Sequence, residues 1–215
     1  MDRKKFLVTA SLAAFSVSAC ANVKMNGESG KMKEPEEEGE GEFVAQCATT
    51  SDILGPFYRA NAPVRTDLTF EGLAGSVVEI KGRVLAEDCI SPVKDALVEI
   101  WHCNTEGEYD NETDQYLHRG VQTTTTTGEY SFETILPGKY LNGKLYRPAH
   151  IHFRITSPSS KELVSQIYFL GDPHITDDPW ASQDKAAARI RPVILEDVKG
   201  NLVVNFDIYT TASEE

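Results

Sequence analysis

His150 and His152 sit two residues apart in the run Arg147-Pro148-Ala149-His150-Ile151-His152-Phe153, which continues into Arg154, Ile155 and Thr156. Ile151, Phe153 and Ile155 alternate with His150, His152, Arg154 and Thr156, the period of a strand whose side chains change face at every residue. The two imidazoles therefore point the same way, and two imidazoles on one face can hold a single metal ion. Two tyrosines extend the set. Trp101-His102-Cys103-Asn104-Thr105-Glu106-Gly107-Glu108-Tyr109 leaves one strand and ends on a tyrosine, and Leu136-Pro137-Gly138-Lys139-Tyr140 leaves another and does the same. Imidazole with phenolate is a hard, partly anionic donor set that suits Fe(III); soft metals prefer thiolate, and calcium and magnesium prefer carboxylate oxygen. Each phenol has to ionise well below its free pKa, at about 4 kcal/mol apiece, which a trivalent cation can supply. A zinc hydrolase on the same histidines lacks a third ligand, because no carboxylate sits at a persuasive spacing. Without a metal, the same residues are a polar row on a half-buried strand and two loop-end aromatics.

The elements that must position these residues read as short strands. Residues 77–85 carry Val78, Ile80, Gly82 and Val84 on one parity, and a turn with Ser91-Pro92 separates them from a second strand over 96–102. Gly107 and Asn111 mark a loop and Gly120 another. Strands follow over 128–135, with Tyr130 and Phe132 in step, over 150–156, over 163–170 and over 202–208. The one helical candidate lies near 180–189. This pattern predicts an all-β fold, an antiparallel β-sandwich over residues 44–215, with no repeat of solenoid or propeller period.

The 215-residue chain begins with Asp2-Arg3-Lys4-Lys5, an apolar stretch and Val17-Ser18-Ala19-Cys20. Residues 1–20 read as a secretory signal peptide, too short and wrongly flanked for a stable span. The closing Val-Ser-Ala-Cys resembles a bacterial lipobox, which implies lipidation at Cys20 and an exported protein anchored to a membrane by acyl chains. Residues 21–43, with Glu34-Pro35-Glu36-Glu37-Glu38-Gly39-Glu40-Gly41-Glu42, have almost nothing to bury and read as a disordered acidic tether of roughly 25–30 Å reach. Much of the net charge of −12 sits there, and no basic nucleic-acid footprint is present. Export allows one disulfide among Cys47, Cys89 and Cys103. Cys89 and Cys103 flank opposite ends of one strand, too far apart for a bridge, so Cys47 pairs with one of them.

Four segments together carry a family resemblance: Gly55-Pro56-Phe57-Tyr58-Arg59; Ile100-Trp101-His102-Cys103-Asn104 with Gly107 and Tyr109; Thr134-Ile135-Leu136-Pro137-Gly138-Lys139-Tyr140; and the Arg147–Phe153 run. They resemble the intradiol ring-cleavage dioxygenases, and within them the iron-bearing type of protocatechuate 3,4-dioxygenase chain. The resemblance covers residues 47 to at least 166. It implies a mononuclear non-haem Fe(III) held by Tyr109, Tyr140, His150 and His152, and cleavage of a catechol-type ring by O2 between its two hydroxylated carbons to a cis,cis-muconate. It implies that Tyr140 leaves the metal on substrate binding and helps take up a proton, that Arg147 stabilises negative charge on the ring, and that Gln166 is a polar active-site residue. It places Gly55, Pro56, Tyr58 and Asn142 at the substrate pocket. Asn142 stands where protocatechuate enzymes carry a tryptophan, in a short loop over 141–146, so the pocket wall differs. The dimer-forming helical extension of catechol 1,2-dioxygenases is not expected. All four ligands lie in one chain, so a homo-oligomer is compatible with the site and no second subunit is needed to complete it. The contrasting expectation is a lipid-anchored, non-catalytic sandwich that binds a partner on the same scaffold, because a fold alone does not fix function.

Overall fold

The computed structural model describes residues 47–195 and 202–213. The expected signal peptide, Cys20 lipidation site and tether lie outside the described residues. The strands among them are β1 (Val77–Leu85), β2 (Leu97–Trp101), β3 (Arg119–Thr123), β4 (Glu129–Ile135), β5 (Tyr140–Asn142), β6 (Leu145–Arg147), β7 (His150–Ser157), β8 (Ser160–Phe169), β9 (Ile190–Arg191), β10 (Ile194–Leu195), β11 (Leu202–Asn205) and β12 (Ile208–Tyr209).

Two five-stranded sheets face each other, and β5 and β6 form a separate hairpin. In the first sheet β1 pairs antiparallel with β4 and, on its other edge, parallel with β11 and then β12. The second runs β3-β2-β7-β8-β9, antiparallel except for the β8–β9 pair. The ladder that matters for the site sets Trp101 opposite His152 and Glu99 opposite Arg154, with His150 opposite Tyr168 and His152 opposite Gln166 on the other side.

Strand alternation sorts these residues. Val98, Ile100, Ile151, Phe153, Ile155 and Ile167 join Val78, Ile80, Val84, Phe132 and Val204 in the core between the sheets. The alternate residues of the second sheet, among them Trp101, His150, His152, Gln166 and Tyr168, lie on its outer face and are nevertheless buried. What buries them is the lead-in over 47–59, the loops that precede β3 and β5, and the segment over 170–189. The lead-in is tied down at several points. A Cys47–Cys89 disulfide holds its start, and Thr49 N–H and Asp52 N–H donate to the carbonyls of Tyr209 and Val164 at 3.0 and 2.9 Å.

Three expectations are corrected. Gly120 belongs to β3, which pairs with β2 along five residues. Residues 141–146 form the β5–β6 hairpin rather than a plain loop. The strand over 202–208 breaks at Phe206 and Asp207 into β11 and β12, which pair with different parts of β1. The helical candidate near 180–189 is present as a 3-10 helix, Asp184–Arg189. Antiparallel pairing dominates, but β1 and β8 each carry parallel neighbours as well.

Candidate metal centre

Tyr109 reaches the outer face through a tight local turn. The Asn104 side chain accepts from the N–H groups of Glu106 and Glu108, both at 2.9 Å, and folds the chain back on itself. Gly107 adopts φ +87°, and a Cβ there would stand 2.4 Å from the Lys139 carbonyl oxygen and 2.9 Å from the Tyr140 Cβ. Only glycine lets the loop carrying Tyr109 close on the strand carrying Tyr140. On the far side, Arg119 Nε and a terminal nitrogen donate to the Asp110 carbonyl at 3.1 and 2.9 Å, which anchors the loop to β3.

The four candidate ligands converge. The Tyr109 hydroxyl stands 3.4 Å from His150 Nε2. Ring centroids lie 5.0 Å apart for His150 and His152, 5.6 Å for Tyr140 and His150, 5.8 Å for the two tyrosines and 6.3 Å for Tyr109 and His152. His150 Nδ1–H donates to the Pro148 carbonyl at 2.7 Å, which fixes the tautomer and leaves Nε2 as a lone-pair donor facing Tyr109. His152 is held by Trp101, stacked on it at 4.7 Å and 9°, and its Nδ1 is buried with no partner. Burial keeps both imidazoles neutral: His150 is pushed down to about 4, and His152 well below the ordinary histidine value with the help of neighbouring His150. Burial also raises both phenols, Tyr109 furthest; at Tyr140 the Arg147 guanidinium works the other way. Two neutral imidazoles and two phenols that ionise only beside strong positive charge fit a trivalent cation. Among the described residues, no group of three His, Cys, Asp or Glu side chains is placed to hold a metal ion.

Arg147 is buried beside this cluster. Its Nε donates to Asp178 Oδ2 at 2.8 Å, and one terminal nitrogen donates to Gln166 Oε1 at 3.1 Å and to the Tyr168 hydroxyl at 3.3 Å. Gln166 Nε2 in turn donates to the Ile53 carbonyl at 2.8 Å. The expected neighbours Arg147 and Gln166 are thus in direct contact.

The lead-in supplies the roof. Gly55, at φ +75°, lies against His152, where a Cβ would stand 3.1 Å from Cε1. Phe57 stacks on Tyr109 at 4.4 Å and meets Tyr140 edge-on at 5.8 Å. Pro56 is exposed at the roof's outer surface. Tyr58 turns aside: its hydroxyl donates to Glu99 at 3.3 Å and accepts from Arg154 at 2.8 Å, with its ring against Trp101. Asn142 is exposed and paired with Leu145 at the hairpin turn. Cys103 is a buried free thiol, pushed up to about 12 by burial, and donates to the Gly138 carbonyl.

Sequence reasoning missed Phe57, Trp101, Tyr168 and Asp178 as parts of this site. Tyr168 was accessible, since it shares strand parity with Gln166. Asp178 had only its turn-forming place before Pro179.

Residues 53–214 match the protein family described as Dioxygenase. Catechol 1,2-dioxygenase 2 of Acinetobacter lwoffii is 32% identical over 176 residues, which are 72% of this chain and 64% of that protein. The protocatechuate 3,4-dioxygenase beta chain of Burkholderia cepacia is 36% identical over 159 residues, 65% of this chain and 67% of that one. The dioxygenase domain of a dioxygenase carbohydrate-binding protein fusion from Streptomyces sp. SirexAA-E superposes with a TM-score of 0.66 at 27% identity, over 77% of this chain and 99% of that domain. The match spans a little under two thirds of the Acinetobacter relative's length. The chain belongs to the intradiol ring-cleavage dioxygenase family.

Proposed function

We propose that the protein is an Fe(III)-dependent intradiol dioxygenase that inserts both atoms of O2 into a catechol-type ring, opening it between the hydroxylated carbons to a cis,cis-muconate. The observation that carries this reading is the convergence of Tyr109, Tyr140, His150 and His152 on one buried face with Arg147 beside them. A bound ferric ion would supply the positive charge that ionises the two phenols and the electron demand that opens a catecholate ring to O2.

The chain's own residues do the rest. His150 and His152 present neutral nitrogen donors because the protein around them is dry. Tyr140, whose phenol is raised less by burial than that of Tyr109, would be the ligand to give way to substrate and would hold its proton at the phenol oxygen. Arg147 faces negative charge developing on the ring with a group that stays charged throughout. Phe57 and Gly55 limit the space above the cluster and exclude water from it. Asn142, on the same face of the hairpin as Tyr140, borders the approach and bears on which ring substituents are accepted.

The test is the visible spectrum of the purified full chain loaded with iron, before and after catechol or protocatechuate is added under air. Tyrosinate-to-Fe(III) charge transfer should colour the protein, and the band should shift before muconate appears. A colourless chain that takes up no Fe(III) would point to the binding-module reading.

We further propose that the protein is exported and anchored through lipid on Cys20, on the strength of the Val17-Ser18-Ala19-Cys20 ending. Labelled palmitate should enter the wild-type chain and not Cys20→Ala, which should leave the membrane fraction. Equal labelling of both would remove the anchor.

A further inference from the structure

Arg147 and Arg189 are the two guanidiniums buried under the outer face that pair with buried carboxylates; the third, Arg119, binds the Asp110 carbonyl instead. Arg189 donates to Asp52 Oδ2 at 2.6 Å, to the Gln166 carbonyl at 2.8 Å and to the Thr50 hydroxyl at 3.0 Å. Both ion pairs are almost wholly shielded, with side-chain exposures of 3% and 1% for Arg147–Asp178 and 1% and 2% for Arg189–Asp52. Tyr168 links them, accepting from Arg147 and donating to Asp52 at 2.9 Å. Two cations and two carboxylates balance, so a purely structural account treats the pairs alike.

Their mountings differ. Asp178 Oδ1 accepts from the N–H groups of Trp180 and Ala181 at 3.0 and 2.7 Å, and its carbonyl accepts from the N–H and hydroxyl of Ser182 at 3.1 and 2.6 Å. Four bonds to the following turn thus fix the residue and aim its free Oδ2 at Arg147. Pro179 adds to this by holding Asp178 in extended backbone. Trp180, on the same turn, lays its ring over the guanidinium at 4.4 Å. The guanidinium is gripped at its edge by Asp178 and on its face by Trp180. A planar fork with Nε and one terminal nitrogen committed has no freedom left, so the direction of the other terminal nitrogen is set as well.

We propose that Asp178 is the positioning residue of Arg147, acting on ring cleavage solely through the guanidinium it aims. The inference rests on the ring-cleavage reading above and adds a residue to it.

The test is a double-mutant cycle on the full, iron-loaded chain, with Asp178→Asn, Arg147→Ala and the two combined, and with Asp52→Asn as the control that neutralises the other buried carboxylate. Asp178→Asn should lower kcat about 10–100-fold, as small misplacements of a catalytic group do, with KM moved less than about threefold and iron content unchanged. On the Arg147→Ala background it should cost nothing further in kcat. Asp52→Asn should lower the thermal midpoint by a similar amount and kcat far less. Trp180→Leu, which leaves no unpaired charge, should lower kcat in the same direction by less and serves if Asp178→Asn does not fold. Additive losses in the cycle, or falls in kcat that track the thermal midpoint equally for Asp52→Asn and Asp178→Asn, would overturn the inference. A wild-type chain that takes up ferric ion and cleaves catechol but loses nothing on Asp178→Asn would overturn it and leave the functional reading standing. A wild-type chain without iron or cleavage would remove that reading first.

Discussion

Two histidines buried at opposite faces of one sheet show how differently the same side chain can be accommodated. His102, just past the end of β2, lies on the inner side; its Nδ1–H donates to the Cys103 carbonyl and its Nε2 accepts from the Thr134 hydroxyl, both at 2.7 Å. The protein completes this imidazole by itself. His152, on the outer face, has Nδ1 buried without a partner and an aromatic ring stacked flat against it. Burial disfavours charge at both, but only the outer one is left with donor capacity that something beyond the chain can use. The strand sharpens the contrast, because Ile151, Phe153 and Ile155 on its inner face need nothing but apolar neighbours. Burial on the inner face is a matter of area, and burial on the outer face is a matter of matching charges and donors.

That difference can be broken from either side. The largest effect should come from His152→Ala or Tyr109→Phe, which should abolish iron retention and colour while the apo chain still melts cooperatively; full activity in either variant would remove the ligand assignment. Phe153→Ala, on the inner face, should instead cost about 3–5 kcal/mol of stability, measured by denaturant unfolding, with iron uptake per folded molecule unchanged. Tyr140→Phe should keep much of the iron and slow turnover by roughly 10²-fold, since its part is to leave the metal and accept a proton; single-turnover kinetics would show it. The most gradual effect is an acid one. His102 is pushed down to about 3 and His118 to about 4 by burial, below the unfolded histidine value, so the unfolded state binds more protons. Their contribution is complete above pH 6.5 and is lost as pH falls toward 4, by at most about 1.4 kcal/mol per unit for each group. Thermal melts of the iron-free chain across that range should show the loss, to which His150 and His152 add in the same direction, and His102→Asn should reduce it.

Where the pattern was local, the amino-acid sequence was a good guide. β1 falls on the residues that its alternation marks, and the His150/His152 face is where parity puts it. β3 was hidden because Arg119-Gly120-Val121-Gln122-Thr123 has no clean alternation and opens on a buried arginine followed by a glycine; it is a strand because β2 pairs with it. The break at Phe206 and Asp207 is likewise set by β1. The four ligands were legible because family motifs surround them. Asp178 and Asp52 were not, because their meaning lies in partners 31 and 116 positions away. Tyr58 sits in a legible motif, yet Glu99 and Arg154 from two different strands decide where its hydroxyl goes.

The lead-in has a consequence for the order in which the protein can be made. Its Thr49 and Asp52 are bound to Tyr209, Val164 and Arg189, which leave the ribosome long after it. The roof over the tyrosines and histidines therefore has no frame to settle on until nearly the whole chain has emerged, and the cost of closing so large a loop falls at the end of folding. The Cys47–Cys89 bond can form earlier and, by shortening the free chain behind that roof, reduces the search for its final seat. Assembly of the centre is thus a late event, timed by synthesis and by whatever oxidant the chain meets on the way.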